Sequence, residues 1–172
     1  MFESNDTFVE DAVKSIETGE DKAKRLGCIA ICIILLCCVV MGVYTIISAV
    51  LLIIFGILTI IILGNKNIEY EYDYTNGSLE IAKIIDNAKR KSVVSIESSE
   101  VKLVAALGTN ESLKYDHVKL KTYDCSAHNS ELKDYILVAH NEAKGYDFKV
   151  IFTPSEKLLN AMKKYNKQDI YI

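Results

Sequence analysis

No Asp, Glu, Lys, Arg or His occurs from residue 26 to residue 64. A stretch of 39 residues without charge cannot present the polar face that a surface helix or strand needs. Cysteine is scarce outside that window. Cys28, Cys32, Cys37 and Cys38 lie inside it and only Cys125 lies beyond. This speaks against the disulfide framework of a small secreted domain and fits a reducing compartment on the soluble side. An excess of base is lacking too. Residues 1–25 hold seven acids against four bases, and the rest of the chain holds 16 of each, all in residues 65–172. A neutral soluble part speaks against a nucleic-acid partner, which demands a strongly basic surface. No glycine-rich phosphate loop occurs, and no cofactor is implied.

What is present in the window is apolar enough for lipid. A single helix over 39 residues would be about 58 Å long, whereas a bilayer core is about 30 Å thick. Two helices fit, near residues 27–43 and 45–63, with a turn around Gly42 and Tyr44. Glycine relaxes the backbone there, and tyrosine suits the membrane–water interface. Too little other sequence exists to wrap two apolar helices in a protein core. The window therefore reads as a transmembrane helical hairpin over residues 26–64. Lys22, Lys24 and Arg25 precede it, Lys66 follows it, and the turn is uncharged. By the positive-inside rule both ends face the cytoplasm. The expected location is the cell membrane, with two crossings.

Residues 1–25 read as a cytoplasmic arm. Phe8, Ala12, Val13 and Ile16 form one apolar stripe at helical spacing, so a short amphipathic helix is expected over residues 6–17. Its other face is acidic and suits a protein better than anionic lipid.

Residues 65–172 read as a soluble domain. Ile68, Tyr70, Tyr72 and Tyr74 alternate with Glu69, Glu71 and Asp73, the period of a half-buried strand. Asn76-Gly77 then marks a type I′ turn. Further strands are expected at residues 78–81, 91–97, 101–106, 118–123, 135–140 and 146–153, with polar loops at 108–116 and 125–132. Thr153-Pro154-Ser155-Glu156 contains the only proline of the chain. It predicts a helix over residues 154–166 capped by Thr153, with Leu158, Leu159, Met162 and Tyr165 on its apolar face. The expected class is α+β with a membrane anchor: a seven-stranded antiparallel barrel or sandwich of pleckstrin-homology-like type, closed by the final helix.

The run Glu69-Tyr70-Glu71-Tyr72, then Gly77, then Leu79, Ile81, Lys83 and Ile84, then Lys89-Arg90-Lys91, resembles a known pattern. It is similar to an uncharacterised family of small two-helix membrane proteins of Firmicutes, a domain of unknown function. The likeness continues through Phe152 and Pro154 into the final helix, and departs at Ala82, where an acid is expected. The stretch also resembles bacterial membrane-tethered pleckstrin-homology-like domains. The resemblance implies architecture and membrane location but no activity. In that broader class, inositide binding draws on bases around the first hairpin. Here Thr75-Asn76-Gly77-Ser78 carries none.

Lys83, Lys89, Arg90 and Lys91 form the most pointed local feature, suited to anionic head groups or an acidic partner, although solvated turns carry such charges too. His117, Cys125 and His128 lack a fourth ligand and a paired spacing for zinc. Asp116-His117 sets an acid beside a base with no nucleophile motif. The membrane cysteines, spaced C-x3-C-x4-C-C, match no metal or redox pattern and read as small packing residues. The sequence thus favours a non-catalytic, membrane-tethered binding or scaffold module. Its protein partner would dock on open strand edges or in the groove beside the final helix. The alternative is an accessory subunit that acts through its transmembrane helices. An enzyme working near the bilayer is less favoured.

Overall fold

The computed structural model describes residues 7–64 and 67–171. They form two compact units. Residues 17–64 make one, and residues 7–16 join 67–171 to make the other.

The arm before the apolar window is a strand, β1 (Phe8–Ser15), and not the expected helix. It runs antiparallel to β2 (Ile68–Thr75) in the register Val9↔Tyr74, Asp11↔Tyr72, Val13↔Tyr70 and Ser15↔Ile68. The period-two set Val9, Asp11 and Val13 turns inward, while Phe8 and Ala12 of the helical stripe are exposed. Pairing with a tyrosine-bearing strand more than fifty residues later overrides the local helical pattern. The arm therefore belongs to the strand domain, and the apolar segment is an insertion between its first two strands.

Within the insertion, α1 (Gly19–Val40) begins two turns earlier than residue 27. Thr18 and Asp21 form a capping box, with the Asp21 N–H donating to Thr18 Oγ1 at 3.2 Å, and this lets helix propagate through the charged residues 20–25. α2 (Thr45–Leu63) follows with the expected bounds. Between them Gly42 has φ +75° and Tyr44 φ +45°. The two helices pack on each other. Cys32 Sγ lies 3.4 Å from Thr59 Oγ1, and the Thr59 hydroxyl also donates to Phe55 O at 2.7 Å. Their apolar side chains otherwise face outward, Ile33, Ile46 and Ile60 among them. Both helices are long and apolar enough to cross a membrane.

In the strand domain, β1, β2, β3 (Ser78–Ile85) and β4 (Lys89–Glu97) form a four-stranded antiparallel sheet in sequence order. Asn76 and Gly77 both have positive φ, as a type I′ turn requires. A Cβ on Gly77 would lie 3.1 Å from the Tyr165 ring. This is the second hairpin of the domain. The first inter-strand connection is the helical insertion, which corrects the reading of residues 75–78 as the first.

The second sheet has the order β6-β8-β7-β5-β9, built from β5 (Val101–Ala106), β6 (Lys121–Cys125), β7 (Tyr135–Asn141), β8 (Tyr146–Phe152) and β9 (Ile170–Tyr171). Two of its pairings are parallel, β6 with β8 and β5 with β9. The described residues thus hold nine strands in two sheets and no closed barrel, against the expected seven antiparallel strands. β1 and β9 are the additions. β6 also starts three residues later than expected, because Leu120 is drawn away. It packs with Tyr115 (beyond the short helix α3, Asn110–Leu113) on the outer face of the second sheet, over Leu103, Ala105, Ile136 and Val138.

The main core lies between the two sheets and α4 (Glu156–Tyr165). Tyr72, Leu79, Ile81 and Ile96 meet Leu137, Phe148, Val150 and Phe152, and α4 adds Leu158, Leu159 and Met162. The cap of α4 is Ser155, whose Oγ accepts from the Leu158 N–H at 3.3 Å. Thr153 does not cap it, because its hydroxyl is already committed: it accepts from the Ala127 N–H at 2.8 Å and donates to Asp134 Oδ1 at 2.5 Å. Asp11 of β1 also serves the helix start, accepting from the Ser155 N–H at 2.7 Å.

Candidate functional site

The strand register puts Ser15, Ile68, Ile85 and Lys89 in one row across the end of the first sheet. The chain leaves for the apolar helices from this end and returns to it. The β3–β4 turn at the same end has Asp86 and Asn87 at φ +51° and +54°. The four basic residues singled out in the sequence flank this turn, but the pleat separates them. Arg90 lies on the outer face, opposite Ile84. Its guanidinium donates to Glu71 Oε2 at 2.8 Å and Asp73 Oδ2 at 2.7 Å, with Glu80 Oε1 3.6 Å away. The hydrogen bond that it donates to Glu71 and the surrounding carboxylates raise its already high pKa. Arg90 is thus consumed in holding β2, β3 and β4 together. Lys83 and Lys91 sit opposite each other on the alternate face, followed by Lys89 opposite Ile85. Among the described residues none of these three lysines makes an ion pair within 4 Å, and Lys89 and Lys91 are exposed.

Behind this end lies a buried polar network that sequence reading missed. The Tyr72 hydroxyl donates to Cys125 O at 2.7 Å and accepts from the Thr153 N–H at 3.2 Å. Tyr70 donates to Asp124 O at 3.1 Å. The Ile16 N–H donates to Ala127 O at 2.8 Å, just where β1 ends. Burial pushes the Tyr72 phenol well above its ordinary value and the Cys125 thiol up to about 12. Both groups stay neutral and act as packing and hydrogen-bonding elements. The only sequence signal for this network was the aromatic alternation of β2.

Beside it, Ser126 donates to Asp124 Oδ1 at 2.8 Å and lies 3.3 Å from His128 Nδ1. The Asp124 carboxylate also takes the Ser126 N–H at 3.1 Å, so these groups brace a loop. His117 is exposed on a separate turn and Cys125 is buried. Among the described residues no group of three or more His, Cys, Asp or Glu is placed to hold a metal ion. On the outer face of the second sheet Asp147 accepts from Lys102 at 2.7 Å and lies 2.6 Å from His140 Nδ1. These two bonds hold its carboxyl below the usual range.

At the opposite end of the first sheet a small recess of about 10 Å³ lies between Tyr74, Leu79, Ile96, Val101 and Met162. Tyr165 meets Tyr74 edge-on, with ring centres 5.9 Å apart. Burial, with Tyr165 nearby, raises the Tyr74 phenol to about 12. β9 packs beside α4.

Four meandering strands facing a second sheet, with one helix after the last long strand sealing the core, define a PH-like domain. Here its first inter-strand connection has become a pair of apolar helices. The chain belongs to the bacterial PH-like domain family DUF6106, whose family model matches residues 5–172, insertion included. No curated protein and no solved structure matches the chain.

Proposed function

We propose that the chain is a non-catalytic binding module held on the cytoplasmic face of a membrane by a hairpin of two crossings. One observation carries this reading. Ser15 and Ile68 are register partners, so the two ends of the insertion meet at one place in the domain. A segment that leaves and returns at one point crosses a bilayer an even number of times, and two apolar helices supply two crossings. Lys22, Lys24, Arg25 and Lys66 flank the hairpin, and its turn is uncharged, which favours a cytoplasmic domain. A phosphatase reporter fused after Ile172, active only outside the cytoplasm, is expected to be silent, and a reporter inserted after Gly42 to be active. The reverse pattern removes the assigned sidedness. Support for binding over catalysis comes from the domain interior. Among the described residues every buried side-chain nitrogen and oxygen has a partner, so its polar groups are spent on structure.

Lys83, Lys89 and Lys91 then lie at the end of the sheet tethered to the lipid, and their fitting partner is an anionic head-group surface. A lysine near such a surface contributes about 1 kcal/mol. Replacing all three with Gln is expected to weaken binding to phosphatidylglycerol vesicles roughly a hundredfold, with little change for phosphatidylcholine. The measurement uses the domain freed of its anchor by exchanging residues 17–66 for Asn-Gly. Arg90 is left in place, since its loss would set Glu71, Asp73 and Glu80 against one another. Equal binding before and after the triple replacement ends the head-group assignment.

A further inference from the structure

Strand β6 crosses the first sheet close to its tethered end. The Tyr70 hydroxyl reaches Asp124 O and the Tyr72 hydroxyl reaches Cys125 O. Consecutive carbonyls of a strand point to opposite sides of its axis, so β6 runs at nearly a right angle to β2. The Tyr72 hydroxyl also meets the Thr153 N–H, just past the end of β8. β8 therefore lies on the Tyr72 side of β6, and the free edge of β6 turns toward the tether. Ala127, two residues beyond β6, is bonded to Ile16 at the end of β1. From Ala127 back to Lys121 the chain thus passes β1, then β2, and continues over β3 and β4. The four residues from Cys125 to Lys121 span about 13 Å, and β4 lies about 10 Å beyond β2. Lys121 is set above the β4 edge.

The row beneath β6 is Val13, Tyr70, Lys83 and Lys91, in register across the four strands. Burial dominates the raised Cys125 thiol, and Lys83 is close enough to oppose it. Lys121 Nζ lies 4.8 Å from the centre of the Tyr123 ring, and the phenols of Tyr123 and then Tyr146 raise its pKa. Lysines from β3, β4 and β6 converge on one corner, with Lys89 at its rim. Lys83 is half-buried there. Among the described residues none of the four has an acid within 4 Å. The carboxylates nearest along the chain are engaged elsewhere. Asp86 accepts from the Asn67 N–H at 3.3 Å, and Asp124 from Ser126 Oγ at 2.8 Å.

We propose that Lys83, Lys91 and Lys121, with the hydroxyls of Tyr123 and Tyr146, form a site for a terminal phosphate group, a phosphomonoester. This deepens the head-group reading above and rests on it: the corner selects one kind of phosphate, where a charged surface takes any anion. Converging ammonium groups repel one another, and a ligand with nearly two negative charges relieves that repulsion best. A phosphomonoester carries those charges and three free oxygens, one for each lysine. A phosphodiester carries a single charge on two. Lysine serves here as a movable point charge, and tyrosine adds hydroxyl donors. The same group ends some lipid head groups and many soluble small molecules, and the test separates these sources.

The full chain in neutral detergent micelles is titrated with dioctanoyl phosphatidic acid, a monoester, and with dioctanoyl phosphatidylglycerol, a diester. Binding is followed by calorimetry. Phosphatidic acid is expected to bind at least roughly tenfold tighter. Lys121→Gln is expected to weaken it roughly tenfold, the loss of one charge-assisted hydrogen bond, and to leave the weaker binding of phosphatidylglycerol unchanged. Lys121 is exposed, so its replacement spares the core. Glycerol 3-phosphate identifies the source. Affinity equal to that of phosphatidic acid points to a soluble ligand, and far weaker binding points to a lipid. Phosphatidic acid that fails to bind, equal affinity for the two lipids, or a Lys121→Gln chain that binds phosphatidic acid as the parent does, overturns the proposal. The head-group reading survives any of these if replacing Lys83, Lys89 and Lys91 still weakens vesicle binding, and falls separately if it does not.

Discussion

A chain that starts at residue 67 is expected not to fold into a stable domain, whereas one in which Asn-Gly replaces residues 17–66 is expected to fold without detergent. The first version lacks β1. It loses Val9, which is buried, and Val13, which packs against the core. Those side chains represent on the order of 3–4 kcal/mol of burial, out of the roughly 5–15 kcal/mol that typically holds a domain together. It also loses Asp11 from the start of α4, and it bares the whole edge of β2, an eight-residue invitation to aggregate. The second version keeps every strand. Ser15 and Ile68 already face each other, so Ile16 and Asn67 can be joined by a two-residue turn of the type that Asn-Gly favours. Thermal unfolding followed by circular dichroism separates the two, with a single cooperative transition for the second and none for the first. A sharp melt from residues 67–172 alone would show that β1 is dispensable and would undo the description of the helices as an insertion.

The second large effect is expected from Tyr72→Phe. The ring fills the same space, but the hydroxyl that bridges Cys125 O and the Thr153 N–H is gone. Two buried backbone groups then lose a partner, at a cost of about 2–3 kcal/mol. The effect of pH supplies an independent check. The ordinary values are 9.0 for the Cys125 thiol and 10.0 for the phenols of Tyr72 and Tyr74, and burial raises all three in the folded domain. Groups whose folded-state values are raised contribute stability that is complete below the unfolded values and is lost as the pH climbs past them. Stability is therefore expected to be level through neutral pH and to fall above pH 9. Tyr72→Phe should start lower at neutral pH and fall less steeply. A variant as stable as the parent in urea at neutral pH would show that the bridge contributes nothing.

The elements that could be read from the chain are those whose signal is local. The alternation of Tyr70, Tyr72 and Tyr74, the turn at Asn76-Gly77 and the apolar stripe of Leu158, Leu159 and Met162 each declare themselves within a few residues. The bounds of α2 follow from composition alone. What stayed hidden depends on distant partners. Val9 and Val13 mark a strand only once β2 is beside them, and on their own they sit equally well in a helical stripe. Thr153 looks like a cap until Ala127 and Asp134 claim its hydroxyl. Two paired residues, Ile170 and Tyr171, are too few to show a period. The basic run was legible as residue types but not as a surface. Arg90 is withdrawn by three acids that lie on two other strands, and strand alternation leaves only the lysines free.

The placement of the helices after β1 also sets the order of assembly during synthesis. β1 leaves the ribosome first and has nothing to pair with until β2 emerges some fifty residues later, a wait of several seconds at roughly 5–20 residues per second. An unstructured connection of that length would make the pairing a slow, long-range event. Two helices packed side by side change this. Once they have formed, their outer ends are neighbours, and a contact remote along the chain becomes local. Pairing of the first two strands is thereby timed to follow formation of the helix pair.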